Sequence, residues 1–334
     1  MPPLLTLDAL RDQVRHIENP QMTRHGVLPF GVEAIDRALP GGGLALGALH
    51  EILGAGGDEE DGAAAAGFTA GILARLTNSL ESRISPQPSP RLNGPTEAPR
   101  ENAAVISLRS LRGREARSEP AYPHSPRPNG VGSTLSRIAG EGADGRSPQA
   151  GEGAILWCLK RPDVYGPGLA GHGLDPARLV IAAAKRDDDI LWAMEEGLRT
   201  GRAAGLAGVV GEIGRLPMVA GRRLQLAAES SGVTAFLLRR WRNAAEASGE
   251  RGRPTAAVTR WRVAALPSAG IADEPGIGRP LWRLELLRCR AGVPAAWIVE
   301  SADATGHVCL AAELADRPAM PRRTVADAPV RRAG

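Results

Sequence analysis

The feature that most constrains the fold is an alternation of apolar, strand-like segments with amphipathic helical segments after residue 153. Buried strands are predicted at 153–160, from about Arg178, at 205–213 and at 233–240, with helices predicted at 187–200 and 217–232. The acidic run Asp187–Asp189 favours a helix start, because carboxylates are stabilised at a helix N-terminus. Strands separated by helices of about ten to fifteen residues predict a mostly parallel sheet covered on both faces.

The chain after this alternation has a different pattern. Three strand-like segments follow one another without a long helix between them: "AAVTRWRVAAL" at 256–266, "LWRLELLRCR" at 281–290 and "PAAWIVE" at 294–300. Consecutive strands of this kind predict an antiparallel extension of the sheet. The predicted fold class is therefore α/β, with a mostly parallel twisted sheet flanked by helices and with antiparallel C-terminal strands.

The first block of the chain predicts a short helix at 32–39, a strand at 48–53, a glycine loop and a second helix that resumes in the alanine run after Gly62. Gly57 and Gly62 have the spacing of the phosphate-binding loop G-x-x-x-x-G-K-[ST], and a position between strand and helix is the context that such a loop requires. Chance could produce the same spacing in a chain this rich in glycine. Ala63 and Ala64 stand where the lysine and the hydroxyl residue belong. The stretch therefore predicts a degenerate phosphate loop.

The residues between the two glycines also oppose nucleotide binding. Asp58, Glu59, Glu60 and Asp61 place four carboxylates where a triphosphate would lie, and each like-charge pair about 5 Å apart costs about 0.8 kcal/mol even in water. Glu212, at the end of the third predicted strand, is the one candidate for the acid that accompanies Mg²⁺ in such sites. We predict no catalytic residue, no cofactor and no metal site, and a protein that is not an enzyme.

The composition divides the chain into an ordered core and three other segments. Residues 82–153 are rich in Pro, Ser, Gly and Arg, which predicts a disordered insertion, interrupted by a brief strand at 103–109. The core is then 27–81 and 154–313, and the basic end at 314–334 predicts a flexible tail. In the N-terminal segment 1–26, Leu7, Leu10, Val14 and Ile17 predict an amphipathic helix over 4–18. Its apolar stripe packs either on its own domain or on another chain.

The bulk properties exclude several classes of protein. The three cysteines are far apart and include no C-x-x-C pair, so neither a disulfide framework nor a zinc site is indicated. No stretch approaches the roughly 18 to 20 apolar residues of a membrane span, and the predicted location is the cytoplasm. The formal charge of +4 permits contact with nucleic acid without requiring it.

Several phrases resemble known sequences. "GVEAIDRALPGGGLALGALHEILG" at 31–54 resembles the stretch that leads RecA into its phosphate loop, and the C-terminal strands are similar to those that close the RecA core. More closely, "LPFG", "LHEI", "LWRLELLR" and "WIVE" resemble the ImuA family of RecA-like bacterial proteins. The resemblance covers about three quarters of the residues and implies a RecA-like core.

The resemblance also implies a function. ImuA proteins are encoded with ImuB and an error-prone C-family polymerase in a damage-induced mutagenesis cassette, which implies DNA damage repair by translesion synthesis under the SOS response. The implied partners are an ImuB-like protein, the polymerase indirectly, single-stranded DNA, and RecA or a second copy of the chain. Two alternatives stay open: a DNA-stimulated ATPase with an atypical site, and an inhibitor of cell division like SulA.

An arginine-rich segment follows the fourth predicted strand, where a RecA-like core has a loop that faces DNA. Residues 239–262 contain seven Arg and two Glu; Arg pairs with phosphates and Trp stacks on bases. The candidate DNA-binding residues are Arg239, Arg240, Trp241, Arg242, Arg251 and Arg253. The alternative is a solvated loop whose tryptophans belong to the core.

Overall fold

A single large sheet organises the chain, and helices cover both of its faces. The structure is a computed structural model that describes residues 24–84, 104–107, 153–201, 203–268 and 278–311. The predicted N-terminal helix at 4–18, the tail at 314–334 and most of the insertion at 82–153 lie outside the described residues. The predicted α/β class is confirmed, with a mostly parallel sheet and antiparallel C-terminal strands.

The strands are numbered in chain order. They are β1 Val27–Leu28, β2 Leu44–Ala45, β3 Leu49–Gly54, β4 Ala104–Ser107, β5 Ala154–Leu159, β6 Leu179–Ala183, β7 Leu206–Ile213, β8 Thr234–Arg239, β9 Thr259–Leu266, β10 Leu281–Cys289, β11 Ala295–Glu300 and β12 Cys309–Leu310. The α-helices are α1 Glu33–Asp36, α2 Asp58–Ile84, α3 Gly166–Gly171, α4 Asp187–Thr200, α5 Met218–Ser231 and α6 Ala244–Arg251.

Ten strands form the main sheet in the order β12-β11-β10-β9-β3-β8-β7-β5-β6-β4. From β9 to β4 every neighbouring pair is parallel, and β10, β11 and β12 add antiparallel strands at one side. The carboxyl ends of the parallel strands therefore meet at one edge of the sheet. Ligand sites of open α/β sheets lie at this edge.

Two apolar layers enclose the sheet. Helix α2 packs on one face, where Phe68 and Leu73 join Trp261 and Trp282 from the strands. Helices α4 and α5 pack on the other face around Met194 and neighbouring aliphatic residues. Burial on both faces explains why the parallel strands are continuous apolar segments and do not alternate with polar residues.

The structure agrees closely with the predicted alternation. Helix α4 has the predicted bounds, and strands β5, β7 and β8 lie within one residue of them. The brief strand expected near 103–109 is confirmed as β4, which pairs in parallel with β6 at the end of the sheet. Two expectations were wrong in extent: the short helix at 32–39 is only Glu33–Asp36, and α2 begins at Asp58, before the alanine run.

A series of buried hydrogen bonds connects β3 to its neighbour β9. His50 of β3 has no exposed surface, and its Nε2 donates to the carbonyl oxygen of Ala45 at 2.8 Å. The hydroxyl of Thr259 lies 2.8 Å from His50 Nδ1 and accepts from the indole N–H of Trp261 at 2.9 Å. In neutral His50 with the proton on Nε2, Nδ1 accepts the hydroxyl proton of Thr259.

We expect His50 to make the fold sensitive to acid. Desolvation, partly opposed by the hydrogen bond to Ala45, lowers the pKa of His50 from 6.5 to about 4. The unfolded chain therefore binds a proton in this window that the folded chain does not, so the stabilisation is complete above about pH 6.5 and is lost as the pH falls towards 4. The expected loss is about 3 kcal/mol in the free energy of unfolding.

Urea unfolding at several pH values from 7 to 4 tests this expectation. The difference between the wild-type protein and His50→Gln isolates the contribution of this one side chain, because the other titrating groups are common to both. The free energy of the wild-type protein should fall more steeply with acid than that of the variant. Parallel curves would show that His50 does not titrate in this window.

Candidate functional site

The candidate phosphate loop lies at the junction between β3 and α2, at the carboxyl edge of the sheet. Only Ala55, Gly56 and Gly57 separate the strand from the helix. The N–H groups of Gly56 and Gly57 donate to the side chains of Asp61 and Glu60, at 2.5 and 3.4 Å. The N–H of Asp58 donates to the carbonyl oxygen of Trp241 at 2.8 Å. Three successive backbone donors that could face a phosphate are therefore engaged within the protein.

The acidic run forms the first turn of α2 and not an open loop. Its carboxylates suit that position, since they face the positive end of the helix dipole. Glu60 reaches back to the N–H of Gly57, as in the reciprocal half of a capping box. Asp61 is buried and also accepts from the N–H of Ala265 at 2.7 Å. The acidic run is therefore helical and not part of the predicted loop, and two of its carboxylates bond to the backbone N–H groups of Gly56 and Gly57.

Arg240, directly after β8, occupies the centre of the site. Its Nε and Nη2 donate to the two carboxylate oxygens of Asp58 at 2.8 and 2.6 Å. Nη1 and Nη2 also donate to Asp163 at 2.7 and 2.9 Å, and Nη1 donates to Glu212 at 2.7 Å. A guanidinium has five N–H donors. All five are used by these three carboxylates, so none remains for a phosphate oxygen.

Glu212 is the predicted magnesium-associated acid, and the structure places it against Arg240. It is buried at the end of β7, with one oxygen bonded to Arg240 and the other accepting from the indole N–H of Trp157 at 2.8 Å. Burial raises the pKa of Glu212, with the hydrogen bonds to Arg240 and Trp157 acting in the opposite direction. Both oxygens of Glu212 have protein partners.

The charges of the other members of the cluster are firmly held. Partial burial of Asp163 opposes ionisation, but the hydrogen bond and charge of Arg240 and the charge of Arg161 outweigh it, so the pKa of Asp163 lies below its ordinary value. Arg161 also pairs with Asp58. Burial disfavours the charged form of Arg240, but its carboxylate partners outweigh this effect and its pKa lies above the ordinary value. The guanidinium is therefore charged at every physiological pH.

A cleft of about 340 Å³ opens beside the cluster, which is within the usual size range of small-molecule sites. Helix α2 forms one wall with small residues that include Ala63 and Gly67, and the segment around Tyr165 and Leu169 forms the opposite wall. No lysine, serine or threonine of the described residues lines the cleft. Lys160, at the same edge, is paired with Asp187 at 2.5 Å. The cleft therefore contains neither a free lysine nor a metal-binding hydroxyl.

Two of the predicted DNA-binding residues are directed into the protein. Arg239 is buried and donates to Glu51 of β3 at 2.6 Å, and Arg260 of β9 donates to the other oxygen of Glu51 at 2.8 Å. Trp241 is also buried, and its N–H donates to the carbonyl oxygen of Gly214 at 2.9 Å. Ion pairs and packing use the side chains of Arg239 and Trp241, and a contact between these residues and DNA stays a prediction.

The remaining candidates have a different environment. Arg240 belongs to the cluster described above. Arg242 is 82% exposed and pairs with Glu246, and Arg253 is half exposed and pairs with Glu250. Arg251 is the last residue of α6, a helix within the segment expected to be a loop. A contact between DNA and the exposed arginines stays a prediction.

Sequence reasoning missed most of the cluster. Trp157, Arg161 and Asp163 were not candidates, and Arg240 was assigned to the solvent side. No local pattern marks Asp163, which lies four residues after the end of β5 and accepts from Arg240 at the end of β8. The one usable signal was the position of Glu212 and Arg240 after neighbouring parallel strands, since such ends share one edge.

Within the described ranges, no group of three or more His, Cys, Asp or Glu side chains is arranged to hold a metal ion. None of the described helices combines the length and the apolar character needed to cross a bilayer.

The fold and the site define an α/β protein in which ion pairs close the edge of the sheet where this architecture holds its ligands. Comparison with known proteins gives the family. The chain is 31% identical over 283 residues to Protein ImuA of Caulobacter vibrioides strain NA1000, an alignment that covers 84% of this chain and 85% of the relative. Protein ImuA of strain ATCC 19089 gives the same values. The chain belongs to the ImuA family, as its resemblance indicated; no family model matches it.

Arg240→Ala is expected to destabilise the fold strongly. The substitution leaves three carboxylates close together without their shared cation, and the buried Glu212 loses its charged partner. Breaking a buried ion pair on one side costs about 3–5 kcal/mol, and we expect a loss of this order in the free energy of unfolding near pH 7. Urea denaturation measures it.

Arg242→Ala is the matched control, because it removes a neighbouring arginine whose ion pair with Glu246 is exposed. It should leave the denaturation midpoint nearly unchanged.

The low pKa of Asp163 should also disappear in Arg240→Ala, so carboxyl NMR titration should show Asp163 protonating at higher pH than in the wild-type protein. Equal stability of the two variants would show that the cluster does not hold the elements together.

Proposed function

We propose that the chain is a non-catalytic accessory protein of damage-induced mutagenesis. In this proposal it binds an ImuB-type protein and thereby supports translesion synthesis by an error-prone C-family polymerase. Membership of the ImuA family supports the role, since the relatives carry that name. The observation that carries the non-catalytic part is the full occupation of Arg240 by three carboxylates at the candidate nucleotide position.

Four features of the site argue against ATP as a ligand. Ala63 and Ala64 replace the residues that neutralise phosphate and hold Mg²⁺. The N–H groups of Gly56 and Gly57 have carboxylate partners. Arg240 has no donor left, and Glu212 is bonded through both of its oxygens. A nucleotide would have to displace several charge-assisted hydrogen bonds, which are about twice as strong as neutral ones.

The cluster also carries the wrong net charge for a triphosphate. Asp58, Asp163 and Glu212 outnumber the two guanidinium groups of Arg161 and Arg240 that pair with them. The remaining negative charge repels an anion in a partly closed cleft, where screening by water is weaker than in bulk. Binding of other macromolecules is then the activity that the fold can still support, and it needs no nucleotide.

The wild-type protein is expected to show no saturable binding of Mg²⁺–ATP below about 1 mM, which corresponds to less than about 4 kcal/mol of binding free energy. Isothermal titration of the full chain measures this, with and without single-stranded DNA. Micromolar binding with turnover that Glu212→Ala abolishes would instead establish the DNA-stimulated ATPase. Glu33→Ala, at a carboxylate of α1 whose side chain is 77% exposed, is the control for unspecific effects.

Purified protein is expected to retain a co-expressed ImuB-type protein in a pull-down, and removal of ATP and Mg²⁺ should not change the amount retained. The physical reason is that the described groups a phosphate would contact, the N–H groups of Gly56 and Gly57 and the side chain of Arg240, already have carboxylate partners. Nucleotide is therefore not expected to change the conformation that binds the partner. Retention that requires ATP would overturn the non-catalytic assignment. Absence of retention under both conditions would overturn the proposed partner.

A further inference from the structure

Helix α5 has an apolar face that no described element covers. Of the seven large hydrophobic side chains exposed among the described residues, three belong to this one helix: Met218, Val219 and Leu226. Val219 is 71% and Leu226 62% exposed, and their spacing of seven residues places them on the same side of the helix. The opposite side of α5 packs on the sheet through Leu224 and Ala228. Val219 and Leu226 are two turns apart with the exposed Arg222 and Arg223 between them, an arrangement suited to contact with a second amphipathic helix.

The chain enters the described fold next to this face. His25 Nε2 lies 2.8 Å from the carbonyl oxygen of Glu229, in the last turn of α5. That carbonyl is one of the four at a helix end that have no partner within the helix, so His25 caps α5. The residues before His25 therefore start at the C-terminal end of the exposed face.

The segment before His25 has the matching pattern. Leu7, Leu10, Val14 and Ile17 form one apolar stripe in a predicted helix over 4–18. A helix of this length is about 22 Å long, and α5 is about 21 Å long. Arg24 and His25 are helical, and the connection at 19–23 spans up to about 17 Å when extended, so the segment can reach the C-terminal half of α5. Asp8 and Asp12 of the segment supply charges opposite to Arg222, which lies between Val219 and Leu226.

We propose that residues 4–18 pack as a helix on the exposed face of α5 in the same molecule. The inference does not depend on the proposed function. Anchoring by His25 makes the contact intramolecular, which gives the segment a high effective concentration at that face. The N-terminal helix then withdraws the apolar surface of α5 from other proteins.

Limited trypsin digestion of the full chain tests the proposal, because Arg11 and Arg15 lie within the segment. Both sites should be protected in the wild-type protein. The double variant Val219→Asp/Leu226→Asp removes the apolar contact, and the rate of cleavage at Arg11 and Arg15 should rise at least about tenfold, since cleavage follows the population of the open form. Ile298→Asp, at a half-exposed apolar residue on β11, is the matched control and should not change these rates.

A variant in the segment itself closes the argument. Leu10→Asp should accelerate the same cleavages, and adding it to Val219→Asp/Leu226→Asp should produce little further change, because coupled residues are not additive. Unchanged thermal unfolding monitored by circular dichroism verifies that the variants keep the fold. Equal rates in the wild-type protein and the double variant would overturn the proposal. So would protection that is lost on dilution, because it would place the segment on a second copy.

Discussion

The hydrogen bonding of Arg240 is the constraint on which the functional edge of this protein depends. One guanidinium joins the start of α2, the end of β7 and the segment after β5, through Asp58, Glu212 and Asp163. Arg240 pairs with Asp58 and with Asp163 in a bidentate manner, through both oxygens of each carboxylate. Bidentate pairing tightly defines the relative positions of these elements. The shape of the adjacent cleft follows from that arrangement. Arg240 therefore binds side chains of its own chain and not a ligand.

Arg239, the last residue of β8, forms a second set of ion pairs on the opposite face of the sheet. Successive side chains of a strand point to opposite faces, and Arg239 accordingly pairs with Glu51 while Arg240 pairs with Asp58. Arg239 also donates to Glu250 at 2.9 Å, which holds α6 against the sheet. Buried ion pairs are weak evidence for high stability, but they become costly to break once formed. The end of β8 therefore fixes the position of the arginine-rich segment that follows it.

The sequence predicts the elements of this fold well and the site poorly, for different physical reasons. Burial on both faces gives parallel strands a run of apolar residues, and amphipathic spacing identifies helices, so Asp187–Thr200 could be predicted with its bounds. The start of α2 could not, because Gly57 and the four acidic residues after it are equally suited to a loop. Hydrogen bonds of Asp58, Glu60 and Asp61 stabilise the start of α2 at Asp58. Asp163 and Arg240 are 77 residues apart, and no local pattern indicates that they meet.

The features that oppose phosphate binding are distributed over several elements and are not confined to two alanines. Ala63 and Ala64 remove a cation and a hydroxyl from α2, but the backbone donors of Gly56 and Gly57 are also engaged, by carboxylates of the same helix. A lysine at position 63 would join three carboxylates that already share Arg240, and it would pair with them in preference to an incoming anion. A phosphate site at this position would therefore require several substitutions together, at the two alanines and at the carboxylates. Internal charge pairs therefore occupy the edge of the sheet at which α/β folds place their ligands.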